Sequence, residues 1–141
     1  LVGGGVVMHL IKQETNYDCC AAVLAMLLDC SLADAKLEFM GINLDIPPQN
    51  KVFVNDMLMI LARKGYWVSP FWKTCCTVEV VLPQIKGPGF AMIQWNASVN
   101  DTHLVAISEN NLVLDPMKDE PRQLNVYDFV FIAAVRKGNE L

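Results

Sequence analysis

The residues best suited to covalent chemistry sit within "QETNYDCCAAVLAMLL", residues 13–28, where a polar stretch gives way to an apolar one through two adjacent cysteines, Cys19 and Cys20. A thiol is a strong nucleophile only as the thiolate, and the free N–H groups and partial positive charge of a helix start favour that form. The apolar run places such a start at Cys19. A nucleophile of this kind also needs a base, a group to orient the base, and donors for the oxyanion formed on attack.

The chain offers a candidate for each role. Of its two histidines, His103 opens the strand-like "HLVAIS", and the return segment "NLVLDP" contains Asp115. If Ser108, Glu109 and Asn110 form a three-residue hairpin loop, with Asn110 left-handed, the register sets His103 directly opposite Asp115. Facing residues have Cβ atoms about 4.5–5.5 Å apart, close enough for a carboxylate to hold one ring nitrogen and leave the other toward a thiol. A two-residue loop would instead turn the two side chains to opposite faces. Gln13 lies six residues before Cys19, and its amide can reach over the polar turn to join the Cys19 N–H as an oxyanion donor. Asp18 works against the thiolate as a like charge, less so if it spends that charge as the helix N-cap.

Each of these residues also has a plain reading. Free cysteines are usually small buried hydrophobes, and that is the expectation for Cys30, Cys75 and Cys76. His9 reads as structural, Asp115 before Pro116 suits a strand-ending turn, and a solvated Gln13 is as good a reading as a donor. For Cys19 the plain reading gives way because Gln13, His103 and Asp115 accompany it in order.

The elements that must position these residues follow from the pattern. Residues 19–29 are apolar almost all round, which requires a helix buried on every side. "SLADAKLEFMG" opens with Ser31 and Asp34 in capping-box-like spacing and closes at Gly41. "INLDIPPQNKVF" is a loop, because the Pro-Pro pair forbids helix. "VNDMLMILARKGYWV" predicts a third helix with Asn55 as N-cap and Gly65 as stop. The lead-in "HLIKQ" reads as extended, "YWVSPFW" as a strand, 77–85 as a short helix and "KGPG" as a turn. From residue 90 the segments "FAMIQW", "HLVAIS", "NLVLD" and "FVFIAAV" read as strands. Helices first and an antiparallel sheet after is an α+β order.

Composition narrows the function. A chain of 141 residues, 53% hydrophobic, suits one domain with one core. The longest apolar runs fall well short of the ~20 residues a bilayer span requires. A net charge of −4 without clustered Lys or Arg argues against nucleic acid and membrane surfaces as partners. Five cysteines, four of them in adjacent pairs, fit a reducing compartment, and neighbours at i and i+1 lack the spacer that lets two thiolates converge on zinc. No metal or cofactor is expected. Residues 1–7 read as vector-derived or linker residues before Met8, and 8–141 as one domain.

The order Gln, Cys, His, Asp, with this Gln-to-Cys spacing, resembles the papain-like cysteine peptidases, and within them the bacteriocin-processing family that cuts after double-glycine leader peptides. "QETNYDCCAAVLAM" is similar to that family's nucleophile segment, "HLVAISENNLVLDP" to its His strand and Asp-Pro return, and "VNDMLMILARKGY" to its middle helix. The family usually has Gly after the nucleophile, where this chain has Cys20, a side chain that would narrow the cleft, alter substrate approach or pair with Cys19 on oxidation.

The resemblance implies a papain-like fold, with an N-terminal helical part whose central helix is buried against a C-terminal antiparallel sheet. It also implies a nucleophile at Cys19, a base at His103, an orienting carboxylate at Asp115 and an oxyanion donor at Gln13. The expected activity is hydrolysis of a peptide or isopeptide bond through a thioester, on a peptide or protein substrate with small residues such as Gly-Gly before the cut. The expected location is the cytoplasm, with delivery into another cell as an effector as an option. Two alternatives stand beside it: a peptide-binding module that has lost catalysis, and a redox or metal-handling protein.

Overall fold

A computed structural model of the chain describes residues 8–15, 18–42, 54–70, 72–73, 87–94, 102–124 and 129–138. The apolar run forms α1, Cys19–Leu28, and seven of its ten residues, Cys20 through Met26, are buried. A helix with no polar face has to lie inside the domain, and α1 packs against both other helices and against the sheet. Truncating a side chain such as Leu24, fully buried here, costs about 2–5 kcal/mol in cores of this kind. The helix ends at Asp29, whose left-handed conformation (φ 56°) returns its N–H to the Ala25 carbonyl.

Helix α2, Leu32–Ile42, starts as predicted, with Ser31 Oγ accepting the Asp34 N–H at 3.0 Å. It buries Ala35 and Phe39, one helical turn apart, and leaves Leu37 and Met40 exposed. Helix α3, Val54–Arg63, buries Met57, Ile60 and Leu61. It begins two residues earlier than expected, so Asn55 lies inside the first turn and is not the cap. Its stop is Gly65 at φ 85°, a conformation that glycine adopts without the steric cost of a side chain.

Among the described residues seven antiparallel strands follow: β1 (Tyr66–Val68), β2 (Trp72–Lys73), β3 (Gly89–Gln94), β4 (Thr102–Ile107), β5 (Leu112–Leu114), β6 (Arg122–Gln123) and β7 (Phe129–Lys137). Their order is β1-β7-β3-β4-β5-β6, with β2 also paired to β7. The strand expected over "YWVSPFW" is thus two pieces on successive stretches of β7, opposite Val135–Lys137 and Phe131–Ile132. Pro70 has no N–H to give a ladder. Ser69 bridges the break, its N–H donating to the Ala134 carbonyl and its Oγ accepting the Ala134 N–H, both at 2.9 Å. Strand β3 can lie against β7 only because position 89 is glycine: a Cβ there would come within 2.2 Å of the Ala133 carbonyl oxygen.

The central strands are apolar on both faces. Phe90, Leu104, Ala106, Ala133 and Val135 pack with the helices in one core, and Ala91, Ile93, Val105, Ile107, Val113, Ile132 and Ala134 form a second. Strand β6 was not foreseen. The expected extended lead-in 9–13 belongs to no strand, although Leu10 and Ile11 pack on the first core. The predicted 77–85 helix, most of the Pro-Pro loop, Cys75 and Cys76 lie outside the described residues.

Candidate active site

Cys19 is the first residue of α1 and half-buried. The first turn of any helix has N–H groups with no partner inside the helix. Here no side chain caps them: Asp18 sits at the N-cap position, but its carboxylate makes no cap hydrogen bond. Its Oδ2 turns back and accepts the N–H groups of Glu14 (3.2 Å) and Thr15 (3.0 Å) and stands 3.2 Å from Lys36 Nζ. The expectation that Asp18 caps the helix is therefore corrected. Burial raises its pKa, but the bond to Thr15 and the pairing with Lys36 outweigh that and hold it below the ordinary value.

The β4–β5 hairpin carries the other two residues. Its loop has the three-residue form expected but sits one residue later: Ser108 pairs with Leu112, the Asn111 N–H returns to the Ser108 carbonyl at 2.9 Å, and Asn111, not Asn110, is left-handed (φ 62°). The register Ala106↔Leu114 and Ile107↔Val113 continues to place Asp115 across from Val105, so it is the diagonal neighbour of His103. A shift of two keeps both side chains on one face. Diagonal neighbours are about 7–8 Å apart, a gap that an imidazole spans. His103 Nε2 lies 2.6 Å from Asp115 Oδ1, with the residues 3% and 4% exposed.

That same Oδ1 accepts the Met117 N–H at 2.9 Å, which fixes the carboxylate's direction. The next carbonyl, of Pro116, accepts the Gln13 N–H at 3.0 Å, so the lead-in segment is tied to the residue adjacent to Asp115.

The Cys19 thiol lies within interaction range of the Cys20 thiol, of His103 and of the backbone N–H of Leu104, each of which favours its charged form. With Nε2 committed to Asp115, Nδ1 is the ring nitrogen left for sulfur. The Cys20 bond is the largest influence on the Cys19 thiol; burial opposes it, His103 and Leu104 reinforce it, and the thiol is pulled down to about 4. Burial pushes His103 down, but its bonds to Asp115 and Cys19 carry it up to about 9. Asp115, which burial alone would raise, is held below the usual carboxylate range by His103 and the Met117 N–H. Between those two values the pair rests as thiolate and imidazolium.

Cys20 itself is buried, 5% exposed, in the core of α1. It packs in the first core and favours the Cys19 thiolate. Gln13 donates its amide N–H2 to the Thr15 carbonyl at 2.7 Å. A carboxamide has two such hydrogens, so one remains, while Gln13 Oε1 is buried with no hydrogen-bond partner among the described residues.

His9 is exposed, and Cys30 is half-buried after α1 with its thiol pKa raised by burial and by the nearby Asp34 and Glu38. Among the described residues no three His, Cys, Asp or Glu side chains are grouped to hold a metal ion. Spacing alone did not reveal the Cys20 thiol as a donor, the Met117 N–H or Lys36 beside Asp18. Each depends on a direction that only the folded chain defines.

No protein-family model and no curated protein sequence matches the chain. Several solved structures share its fold, two of them as follows. The peptidase domain of Streptococcus ComA, a bifunctional ABC transporter involved in a quorum-sensing pathway, superposes with a TM-score of 0.63 at 13% identity, covering 92% of this chain and 98% of that domain. A double-glycine-motif protease from an AMS/PCAT transporter, in complex with its leader peptide, gives 0.64 at 19% identity over 94% and 92%. The architecture is therefore that of the papain-like peptidase domains in transporters of this kind, as the sequence implied. None of the described helices is long and apolar enough to cross a membrane.

Proposed function

We propose that residues 8–141 form one cysteine peptidase domain that hydrolyses a peptide or isopeptide bond through a thioester, with Cys19 as nucleophile, His103 as acid and base, Asp115 as orienting carboxylate and Gln13 as an oxyanion donor. The observation that carries this reading is the convergence of three side chains, with His103 Nε2 2.6 Å from Asp115 Oδ1 and His103 acting on the Cys19 thiol at the start of α1.

The thiolate attacks the scissile carbonyl carbon. Negative charge moves to the carbonyl oxygen, where the Cys19 backbone N–H and the second Gln13 amide hydrogen stabilise it. Collapse breaks the C–N bond, and the imidazolium gives its proton to the departing amine. The neutral imidazole then takes a proton from water, hydroxide oxygen adds to the thioester, and the carboxylic acid leaves as the thiolate and imidazolium return. Asp115 holds the ring in place and stabilises its charged form.

The fold neighbours act as a peptidase domain and as a double-glycine-motif protease, which supports a substrate with small residues before the cut. Five cysteines, four of them in adjacent pairs, suit a reducing, cytoplasmic setting. The test is a fluorogenic peptide ending in Gly-Gly-aminocoumarin. The wild-type protein is expected to release the fluorophore, and Cys19→Ala to release none. Release unchanged in Cys19→Ala would sink the reading. A second reading, peptide binding without cleavage, is favoured by one observation, the Gln13 amide turned to Thr15. It predicts peptide binding by the wild type without release of the fluorophore.

A further inference from the structure

A carboxylate directly before a thiolate nucleophile carries an electrostatic cost, since like charges raise a thiol's pKa. The common compensation, capping the helix, is not made here. The carboxylate's partners indicate what it does instead. Asp18 Oδ2 accepts the N–H groups of Glu14 and Thr15, and the Asp18 N–H points back to the Thr15 carbonyl at 3.5 Å, so the two ends of the turn bind each other in both directions. Lys36, arriving from α2, lies 3.2 Å from that same Oδ2 and 3.2 Å from Glu14 Oε1. One ammonium therefore pins two points of the turn to the helical body.

Gln13 is the residue just outside this turn, and its own amide rests on the Thr15 carbonyl. The connections run without a gap: Lys36 holds Asp18, Asp18 holds Thr15, and Thr15 holds the Gln13 amide. We propose that Asp18 and Lys36 form a clasp that sets the distance and direction between Gln13 and Cys19, which makes Asp18 a positioning residue for the oxyanion donors. The inference rests on the peptidase reading for its kinetic consequence. Its structural part stands independently of that reading.

An ion pair this exposed adds little to stability; its worth lies in placement, where an error of about 1 Å in a catalytic group can cost as much as a hundredfold in rate. Lys36 serves a second end by neutralising Asp18, so that the clasp opposes the neighbouring thiolate less.

The test uses the full chain, the Gly-Gly-aminocoumarin peptide and the variants Asp18→Ala, Asp18→Asn and Lys36→Met. Asp18→Ala is expected to lower kcat about 30-fold with KM within about twofold. Its rate of Cys19 alkylation by iodoacetamide should hold or rise, because a negative charge has left the thiol's side. Asp18→Asn should recover most of kcat, since its carboxamide oxygen accepts the same two N–H groups, and Lys36→Met should fall between.

A kcat for Asp18→Ala within twofold of wild type, or a fall in alkylation equal to the fall in kcat, overturns the clasp. If Asp18→Ala fails to fold, Lys36→Met decides on kcat alone, and a value within twofold of wild type overturns the clasp. If wild type does not cleave the peptide, the peptidase reading has failed, and the clasp is judged by hydrogen exchange. The Glu14 and Thr15 amides should then exchange about tenfold faster in Lys36→Met, and unchanged exchange overturns it.

Discussion

The two sides of the candidate site are built by different physics. On the helical side, Cys19 is placed by its position in a single segment: a polar turn, then an apolar run that must be buried, with the nucleophile at the junction. On the sheet side, His103 and Asp115 are placed by strand pairing, and their meeting depends on how many residues the loop between β4 and β5 contains. The helical side tolerates error gradually, because a helix start can shift or fray and still present N–H groups. The sheet side switches, because a register error of one residue moves a side chain to the other face. The contrast implies that single changes on the sheet side should be severe and those on the helical side graded.

Among changes that leave the Cys19 thiol in place, the largest effect is expected at Asp115. Replacing it by Ala removes the partner of His103 Nε2, and kcat/KM on the Gly-Gly peptide should fall about a thousandfold. Because the Asp115 bond helps lift His103 to about 9, the alkaline limb of the pH–rate profile should also move to lower pH.

Next comes deletion of Asn110. If the shortened hairpin keeps a three-residue loop by drawing Ser108 into it, the pairing slips by one, Asp115 faces away from His103, and the rate should drop about a hundredfold or more while the sheet still forms. A deletion mutant with near-wild-type kinetics would show that the hairpin re-forms its register and would remove the switching half of the comparison.

On the helical side, Cys20→Ala takes away the main donor to the Cys19 thiolate. The thiol pKa then rises, so the acid limb of both alkylation and kcat/KM should move to higher pH. At neutral pH the rate should stay within about threefold, since His103 and the helix start still favour the thiolate. An unmoved acid limb would show that the Cys20 bond is idle.

The smallest effect belongs to Ser31→Ala, which removes the α2 cap on Asp34. It should cost about 1 kcal/mol and lower Tm by about 2–4 °C, read by thermal unfolding, with no change in kinetics.

The sequence made the helical side legible in some detail, because burial and capping are local. The apolar run, the Ser31 cap and the Gly65 stop each depend on a few consecutive residues, and each stands where the pattern put it. The start expected from Asn55 missed by two positions, within the ordinary fraying of a helix end. The hairpin was legible in kind only. Asn110 and Asn111 are neighbours that both tolerate the left-handed conformation, so residue type cannot select between them. The shift of two preserved the face, and His103 met Asp115 by the diagonal. Asp18 was misread because a carboxylate before a helix suits the N-cap, and nothing in the spacing reveals a lysine 18 residues on that competes for it. The split of "YWVSPFW" into β1 and β2 was signalled by Pro70 and follows from its missing N–H.

Asp115 and Pro116 are adjacent in the chain and hold different parts of the site, one the imidazole through its carboxylate and the other the Gln13 backbone through its carbonyl. The alignment of the proposed base and that of the proposed oxyanion donor are thus referenced to the same turn. Any displacement of that turn, by substitution nearby or by a ligand resting on the exposed Met117, would carry both together. The reacting groups drawn from two distant stretches of chain share a single mechanical datum, and timing between them needs no further device.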